Sequence, residues 1–204
     1  MRSQLATGRD TLRDGTVVAV RPLEPADRAV VAVAASCLSR RTLYLRFASA
    51  KPGLSKRDLD ALMDIDHHGR EALLAVDPLT RDGVAIARYA ELPGEPGAVD
   101  IALTIADAWQ GRGLGTALLS RLLARAREEG HVLARASVLS ENLPSLTMLR
   151  RAGFRTCGWD GAMRELELPL HGPAERPGVW VGGSDYVTKP RRGLTPLRPE
   201  RPGV

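Results

Sequence analysis

Apolar positions in the first third of the chain predict one strand followed by helices. An apolar run at residues 16–20 predicts the strand. Helical spacing follows at residues 26–36, and residues 39–47 have the pattern of a second short helix or turn. A third helix is predicted after Ser55, whose hydroxyl can cap its first turn.

Short apolar runs replace the helical spacing in the middle of the chain. Three of them, at residues 72–76, 84–89 and 99–106, are separated by turns rich in proline, glycine and aspartate. They predict three consecutive antiparallel strands. A long amphipathic helix is then predicted at residues 114–129, with Gly130 at its end.

The remaining periodic segments alternate between strand and helix. They are a strand at residues 132–139, a helix at 142–151 and two closing strands near 154–157 and 163–168. The order of all these elements predicts a mixed α/β layer. One right-handed crossover would join the strand at 99–106 to a parallel strand at 132–139.

Length and composition agree with a single domain between two flexible ends. The 204 residues are 44% hydrophobic, which is enough for one sizeable core. No apolar run reaches the roughly 18 residues of a membrane span, and the N-terminus lacks the apolar core of a signal peptide. We therefore expect a soluble cytoplasmic protein without a membrane partner. Residues 1–11 and the Pro/Gly/Arg-rich residues 169–204 are expected to be flexible.

The net charge bears on the choice of binding partners, and the number of cysteines bears on disulfide bonding. A net charge of +5 suits a phosphate-rich ligand or an acidic partner. Much of it lies in the tail, which lacks the interleaved aromatic residues of single-stranded nucleic-acid sites, so nucleic acid is not expected. Trp180 and Tyr186 leave open whether the tail docks on the domain or on a second subunit, as in a homodimer. Cys37 and Cys157 are too few for a disulfide framework and are expected to be buried thiols.

A glycine-rich segment at residues 109–116 follows a predicted strand and opens the long helix. Gly111, Gly113 and Gly115 permit positive φ and leave room for an anion, so that backbone N–H groups can point at phosphate oxygens. The helix dipole and Arg112 add to this attraction. A tight turn without any ligand is the alternative that these residues leave open.

Two nucleotide-binding interpretations fail on the same segment. A Walker loop requires Gly-Lys-Ser/Thr, whereas the chain has Leu114-Gly115-Thr116. A dinucleotide site requires the loop after the first strand and an acidic residue at the end of the next one. Here the loop follows the fourth strand, and the next strand ends in Leu139-Ser140.

The loop resembles the phosphate-binding signature of the GNAT N-acetyltransferases. Its residues 110–115, Gln-Gly-Arg-Gly-Leu-Gly, are similar to the family pattern Gln/Arg-x-x-Gly-x-Gly/Ala. A second segment, from Asn142 and Ser145 to Gly153-Phe154, is similar to the family's Asn-x-x-Ser/Ala helix that ends in Gly-Phe. The resemblance covers residues 12–168. It implies a GNAT fold, with a mixed sheet of six to seven strands and helices on both faces.

The resemblance also implies acetyl-CoA as cosubstrate and no metal. The loop amides would hold the coenzyme pyrophosphate, and Asn142 would contact the pantetheine arm. The residues implied to bind the coenzyme are Leu103, Ile105, Gln110, Gly111, Arg112, Gly113, Leu114, Gly115, Thr116, Asn142 and Ser145.

Two residues are candidates for the chemistry by the same resemblance. The N–H of Ile105 would polarise the thioester carbonyl. Asp100 stands where the narrower group of Pat-type bacterial protein lysine acetyltransferases carries a glutamate base, and a surface carboxylate is its alternative role. Many GNAT enzymes have a tyrosine that acts as the general acid seven residues after the motif asparagine, but this chain has Leu149 there. Water, or Ser145 acting through water, would have to protonate the leaving thiolate.

The expected activity is transfer of an acetyl group to a primary amine, either a protein lysine, which the Pat-type resemblance favours, or a small molecule. The rival hypothesis is a catalytically weak domain that binds acetyl-CoA as a sensing or interaction module. Arg46, Phe47 and Asp66 would line the acceptor entrance by resemblance. His67 and His68 lie close to Asp64 and Asp66, but their spacing fits no catalytic zinc motif, so a solvated loop at the acceptor side is expected.

Overall fold

The structure is a computed structural model that describes residues 7–170. Its strands are β1 Gly8–Thr11, β2 Val17–Pro22, β3 Arg70–Val76, β4 Gly83–Glu91, β5 Ala98–Ile105, β6 Leu133–Leu139, β7 Arg155–Asp160 and β8 Met163–Pro169. Its α-helices are α1 Arg28–Ser36, α2 Arg40–Phe47, α3 Lys56–Met63, α4 Leu114–Glu128 and α5 Leu143–Arg151. Most of the expected tail, with Trp180 and Tyr186, lies outside the described residues.

The strands form one eight-stranded mixed sheet in the order β1-β2-β3-β4-β5-β6-β8-β7. Strands β5 and β6 are parallel, and each of the other neighbouring pairs is antiparallel. The predicted fold class is therefore confirmed, with one strand more than the expected six to seven. Helix α4 connects the two parallel strands, as the crossover prediction requires.

The described fold extends beyond both ends of residues 12–168. The extra strand, β1, lies in the segment that was expected to be flexible. Its Gly-Arg-Asp-Thr sequence has no apolar alternation, but its backbone pairs with residues 17–20 of β2. At the other end, the side chain of Leu170 is 4% exposed and its N–H donates to the carbonyl of Val132.

Helices cover both faces of the sheet because the inner strands carry apolar residues on both sides. On β3, Leu73 belongs to the larger core with the α4 residues Leu118 and Leu122. The next residue, Leu74, belongs to a second core with Val31 of α1. This alternation puts α4 on one face, with α1 and α3 on the other.

The parallel pair β5–β6 is joined only at its beginning. The Cα partners are Ala98 with Leu133, Val99 with Ala134, and Asp100 with Arg135. Beyond Asp100, strand β6 pairs with β8 while β5 remains paired with β4. A wedge therefore opens between residues 101–105 of β5 and the rest of β6. We call this wedge the β5–β6 cleft.

Two further features concern the surface of the domain. Cys37 and Cys157 are both exposed, so their prediction as buried thiols is wrong. Cys37 follows the last residue of α1, and Cys157 lies on β7, one of the two edge strands of the sheet. Within residues 7–170, no helix has both the length and the apolar character needed to cross a bilayer.

Candidate active site

The backbone of β5 directs two N–H groups into the β5–β6 cleft. The Ala106 N–H donates to the Val84 carbonyl at 2.9 Å, in register with the β4–β5 ladder. In an antiparallel ladder the residues that bond to a given neighbour alternate, so Leu103 and Ile105 direct their N–H groups away from β4. The structure thus puts both residues where a ligand between β5 and β6 would meet backbone donors.

The side chain of Gln110 connects the end of β5 to α2. Its side-chain Nε2 donates to the Ile105 carbonyl at 3.0 Å and to Thr42 Oγ1 at 3.1 Å. The Thr42 hydroxyl in turn donates to Asp107, which also accepts hydrogen bonds from the N–H and the hydroxyl of Ser39. The network links α2 to the end of β5. The sequence does not reveal this network, because its pattern indicates for Ser39 only a place in a short helix or turn.

Hydrogen bonds keep Asp107, at the centre of this network, in its ionised form. Burial opposes the ionisation of Asp107, but the hydrogen bonds from Ser39 and Thr42 outweigh it, so the pKa of Asp107 lies below its usual value. Ser39 also caps α2, since its hydroxyl accepts the Thr42 N–H. The start of α2 is thereby fixed against the loop that precedes α4.

The glycines of the loop have different roles. Gly111 has φ 75° and Gly113 has φ 96°, so both use the left-handed region that glycine favours. Gly113 is the N-cap of α4, and the first intrahelical bonds run from Thr116 and Ala117 to its carbonyl. The N–H groups of the preceding turn have no intrahelical partner and carry the positive end of the helix dipole. They form a suitable site for an anion.

Gly115 does not use the positive φ that glycine permits. It lies inside α4, where its missing side chain allows close packing. A Cβ on Gly115 would lie 2.9 Å from Ile105 Cδ1 and 3.0 Å from Met148 Sδ. The start of α4 is therefore packed directly against β5 and α5, which brings the two sequence motifs together.

Two arginines flank the anion site. Arg112 lies over the ring of Trp109, 5.2 Å from its centroid, and its Nε is 3.4 Å from a carboxylate oxygen of Asp14. Arg13 donates its N–H to the Arg112 carbonyl, and its side chain lies where a Cβ on Gly113 would point. Arg112 was predicted here, whereas Arg13 was not assigned to the site because it is about a hundred residues away along the chain.

Asn142 and Ser145 form the start of α5. The Asn142 side-chain oxygen accepts the Ser145 N–H at 3.3 Å, so Asn142 acts as the helix cap. Met148, one turn further along α5, contacts Gly115 in α4. The order of contacts places the cap of α5 on the same side of the sheet as the anion site.

Asp100 belongs to the other face of β5. It shares that face with Ala102 and Thr104, which line a cavity of about 160 Å³. Arg46 and Arg88 also line this space, which we call the arginine cavity. Asp100 interacts electrostatically with both guanidinium groups. Burial lowers the pKa of Arg46 and of Arg88, and their attraction to Asp100 opposes that change.

A known family of protein domains matches the part of the chain that contains this site. Residues 18–155 match a family model described as the acetyltransferase (GNAT) domain. The chain belongs to the GNAT acetyltransferase family. The matched segment contains the β5–β6 cleft, the loop before α4 and the start of α5.

Related proteins carry the same domain. Acetyltransferase PA5475 of Pseudomonas aeruginosa is 38% identical over 125 residues, which are 59% of this chain and 66% of that protein. Acetyltransferase Pat of Mycolicibacterium smegmatis is 26% identical over 142 residues, 70% of this chain but only 42% of Pat. The chain thus matches less than two thirds of either relative.

A solved structure shows the same GNAT architecture. The GNAT domain of PAT from S. lividans superposes with a TM-score of 0.76 and 26% sequence identity. The match covers 83% of this chain and 99% of that domain. The resemblance inferred from the two motifs is therefore confirmed at the level of the domain.

Four further residues singled out in the sequence have defined surroundings in the structure. Leu149, which replaces the acidic tyrosine of many GNAT enzymes, is 3% exposed and packs in the main core. Arg46 and Phe47, which the resemblance assigns to the acceptor entrance, line the arginine cavity, and Asp66 is not among its lining residues. The Asp66 carboxylate instead accepts the N–H groups of His68 and Arg70 at 2.9 and 2.8 Å.

The histidines lie away from the loop that opens α4. His67 Nδ1 is 2.8 Å from Glu71, and His68 Nδ1 is 2.6 Å from Glu129, at the opposite end of α4. Their expected position at the acceptor side stays a prediction. Across residues 7–170, no three histidine, cysteine, aspartate or glutamate side chains are grouped to hold a metal ion.

Proposed function

We propose that this GNAT domain transfers an acetyl group from acetyl-CoA to a primary amine. The observation that carries the proposal is the β5–β6 cleft, into which Leu103 and Ile105 direct their N–H groups beside the start of α4. The cleft offers donors to a thioester carbonyl, and the helix start offers donors to a pyrophosphate. Both sites belong to one continuous surface because Gly115 packs on Ile105.

The residues present fit the coenzyme at both ends. In the proposed complex the pyrophosphate lies on the amides at residues 111–115, with Arg112 and Arg13 supplying positive charge. The pantetheine arm enters the cleft past Asn142 and Ser145. Acetyl-CoA supplies an activated acyl group, and the Ile105 N–H stabilises the negative charge that develops on its carbonyl oxygen.

The acceptor side must supply a neutral amine. An aliphatic amine of pKa about 10.4 is almost entirely protonated at neutral pH, so a base contributes to the rate. Asp100 is the candidate, acting directly or through one water. The amine nitrogen then bonds to the acetyl carbon, the carbon–sulfur bond breaks, and the thiolate takes a proton from water or from Ser145 through water. Leu149 cannot supply that proton because its side chain is apolar and buried.

The acceptor class in this proposal rests on the resemblance rather than on geometry. The Pat-type motifs favour a protein lysine as the amine, while a small amine is the other acceptor class. A cytoplasmic location is also part of the proposal. The second candidate function is an acetyl-CoA-binding module with little turnover. Leu149 favours this candidate, since the usual acid is missing.

The test measures binding and turnover separately. We expect acetyl-CoA at a hundredfold excess over its dissociation constant to stabilise the fold by about 2.7 kcal/mol, while ATP and NAD do much less. Thiol release from acetyl-CoA is then followed with and without a panel of peptides and amines. Stabilisation without amine-dependent thiol release would support the binding module, and stabilisation by NAD or ATP alone would refute the acetyl-CoA site.

A further inference from the structure

The arginine cavity contains two guanidinium groups whose hydrogen-bond donors are largely unused within the described residues. Among the described residues, Arg46 forms no hydrogen bond or ion pair, and its guanidinium lies 5.0 Å from the centroid of the Phe47 ring. Arg88 donates one hydrogen bond, to the Ala61 carbonyl at 3.2 Å. The carboxylate of Asp58 borders the cavity but is already bound to Lys51 at 2.6 Å. The guanidinium groups therefore retain donors for an anionic ligand.

The surroundings make this positive charge costly in the absence of a ligand. Burial lowers the pKa of both arginines, and repulsion from Arg88 lowers the pKa of Arg46 further. Asp100 offsets part of the charge of both guanidinium groups, and Asp64 offsets part of the charge of Arg88. A carboxylate on the ligand would add to this compensation and accept charge-assisted hydrogen bonds. The ammonium of a lysine side chain would be repelled instead.

The remaining lining of the cavity is apolar. Apolar side chains from α1, from the segment after it, from α3 and from β4 line the cavity, namely Val31, Ala34, Leu38, Leu62 and Ile86. A ligand that carries an apolar group beside its carboxylate would therefore meet both kinds of surface. The cavity wall also includes Thr104 and Ala106, the neighbours of Ile105, so it adjoins the proposed acetyl site.

We propose that the acceptor is the α-amine of a free amino acid with an apolar side chain, whose carboxylate is bound by Arg46 and Arg88. This substrate class rests on the acetyl transfer proposed above. Asp100 lies two residues from Ala102, the register partner of Arg88, on the same face of β5, and it interacts electrostatically with both arginines. The sites for the carboxylate and the amine are therefore neighbours. An α-amino acid has its two charged groups on one carbon, whereas the ε-amine of a protein lysine has no carboxylate nearby.

The reaction balances as an ordinary acyl transfer. The α-amine gives up one proton to Asp100 or water and its nitrogen bonds to the acetyl carbon. The carbon–sulfur bond breaks, and the thiolate receives a proton from solvent. The products are an N-acetyl amino acid and coenzyme A, with no oxidant or reductant required.

The direct test compares amino acids with their amides on the full chain. Leucine, methionine and phenylalanine are assayed beside the corresponding amides and a lysine peptide blocked at its N-terminus, with thiol release as the measurement. We expect kcat/KM for each acid to exceed that for its amide by roughly 10- to 100-fold, the range for hydrogen bonds to a charged group. Equal values, or a preference for the peptide, would overturn the proposal.

Variants of the two arginines test the same assignment. Arg46→Met and Arg88→Met should each raise the KM for leucine by roughly tenfold or more, with the KM for leucinamide and the affinity for acetyl-CoA nearly unchanged. Arg57→Met, at an exposed position of α3, is the matched control. Retained acetyl-CoA affinity shows that a variant is folded. An unchanged KM for leucine in a folded variant would contradict the proposal.

The outcomes separate this inference from the function on which it rests. Acetylation of the lysine peptide but not of the amino acids would refute the amino-acid acceptor and leave the acetyltransferase proposal standing. Absence of both acetyl-CoA binding and amine-dependent thiol release would refute the acetyltransferase proposal itself, and the amino-acid acceptor with it.

Discussion

The side-chain amide of Gln110 donates a hydrogen bond to the backbone carbonyl of Ile105 at 3.0 Å. Gln110 begins the loop that leads into α4, and Ile105 is the last residue of β5. The hydrogen bond therefore connects the anion site to the strand that directs its N–H groups into the cleft. It fixes the orientation of the peptide next to the proposed acetyl site.

Replacing Gln110 tests this connection. Gln110→Leu keeps much of the side-chain volume but removes both donated hydrogen bonds, to Ile105 and Thr42. A loss of about 1 kcal/mol per bond should lower kcat/KM by roughly fivefold or more. The exposed Lys56→Gln in α3 serves as control. An unchanged kcat/KM would mean that Gln110 does not position the end of β5.

A pair of glycine substitutions separates backbone strain from packing. Gly111 has φ 75° with open space around it, so Gly111→Ala should cost about 1 to 2 kcal/mol through strain alone. Gly115→Ala would push against Ile105 and Met148 and should cost about 1 to 3 kcal/mol. Chemical denaturation measures both costs.

The two glycine variants should also differ in catalysis. Gly115→Ala displaces the side chain of Ile105 and should lower kcat more than Gly111→Ala does. Equal kcat values in the two variants would argue against a role for the Gly115–Ile105 contact in positioning the site.

The elements that follow local periodicity could be predicted, and those that depend on distant backbone pairing could not. Helix α4 was predicted from its apolar stripe, and its loop from three glycines and a resemblance. Strand β1 was missed because its residues 8–11 have no alternation and are held by pairing with β2. Arg88 was missed for a similar reason, since only the register of β4 with β5 brings it next to Asp100.

The role proposed for Asp100 is tested by removing its basicity. Asp100→Asn keeps the shape of the side chain and should lower kcat by roughly 10²-fold, with little effect on acetyl-CoA affinity. Raising the pH should restore part of the rate, because hydroxide then deprotonates the amine. Asp100→Glu should retain substantial activity. A wild-type rate and pH profile in Asp100→Asn would show that water or another residue is the base.

Stability should depend on pH through His68. The Glu129 carboxylate hydrogen-bonds to His68 and raises its pKa above the ordinary value of 6.5. The folded state then binds the proton more tightly, so the contribution of this pair is complete below 6.5 and is lost as the pH rises through the raised pKa. The melting temperature of His68→Gln should therefore fall below that of the wild type at about pH 6 and approach it at about pH 9. A difference that grew with pH would contradict this assignment.

The most direct test of the acetyl-CoA site is a nitrogen–proton correlation NMR spectrum recorded during a titration with acetyl-CoA. If acetyl-CoA binds as proposed, the largest shifts belong to the backbone amides of Leu103, Ile105 and residues 111–115. The amide of His68, near the opposite end of α4, should move little. Saturable binding that shifts other amides and leaves Ile105 and residues 111–115 unchanged would contradict the account.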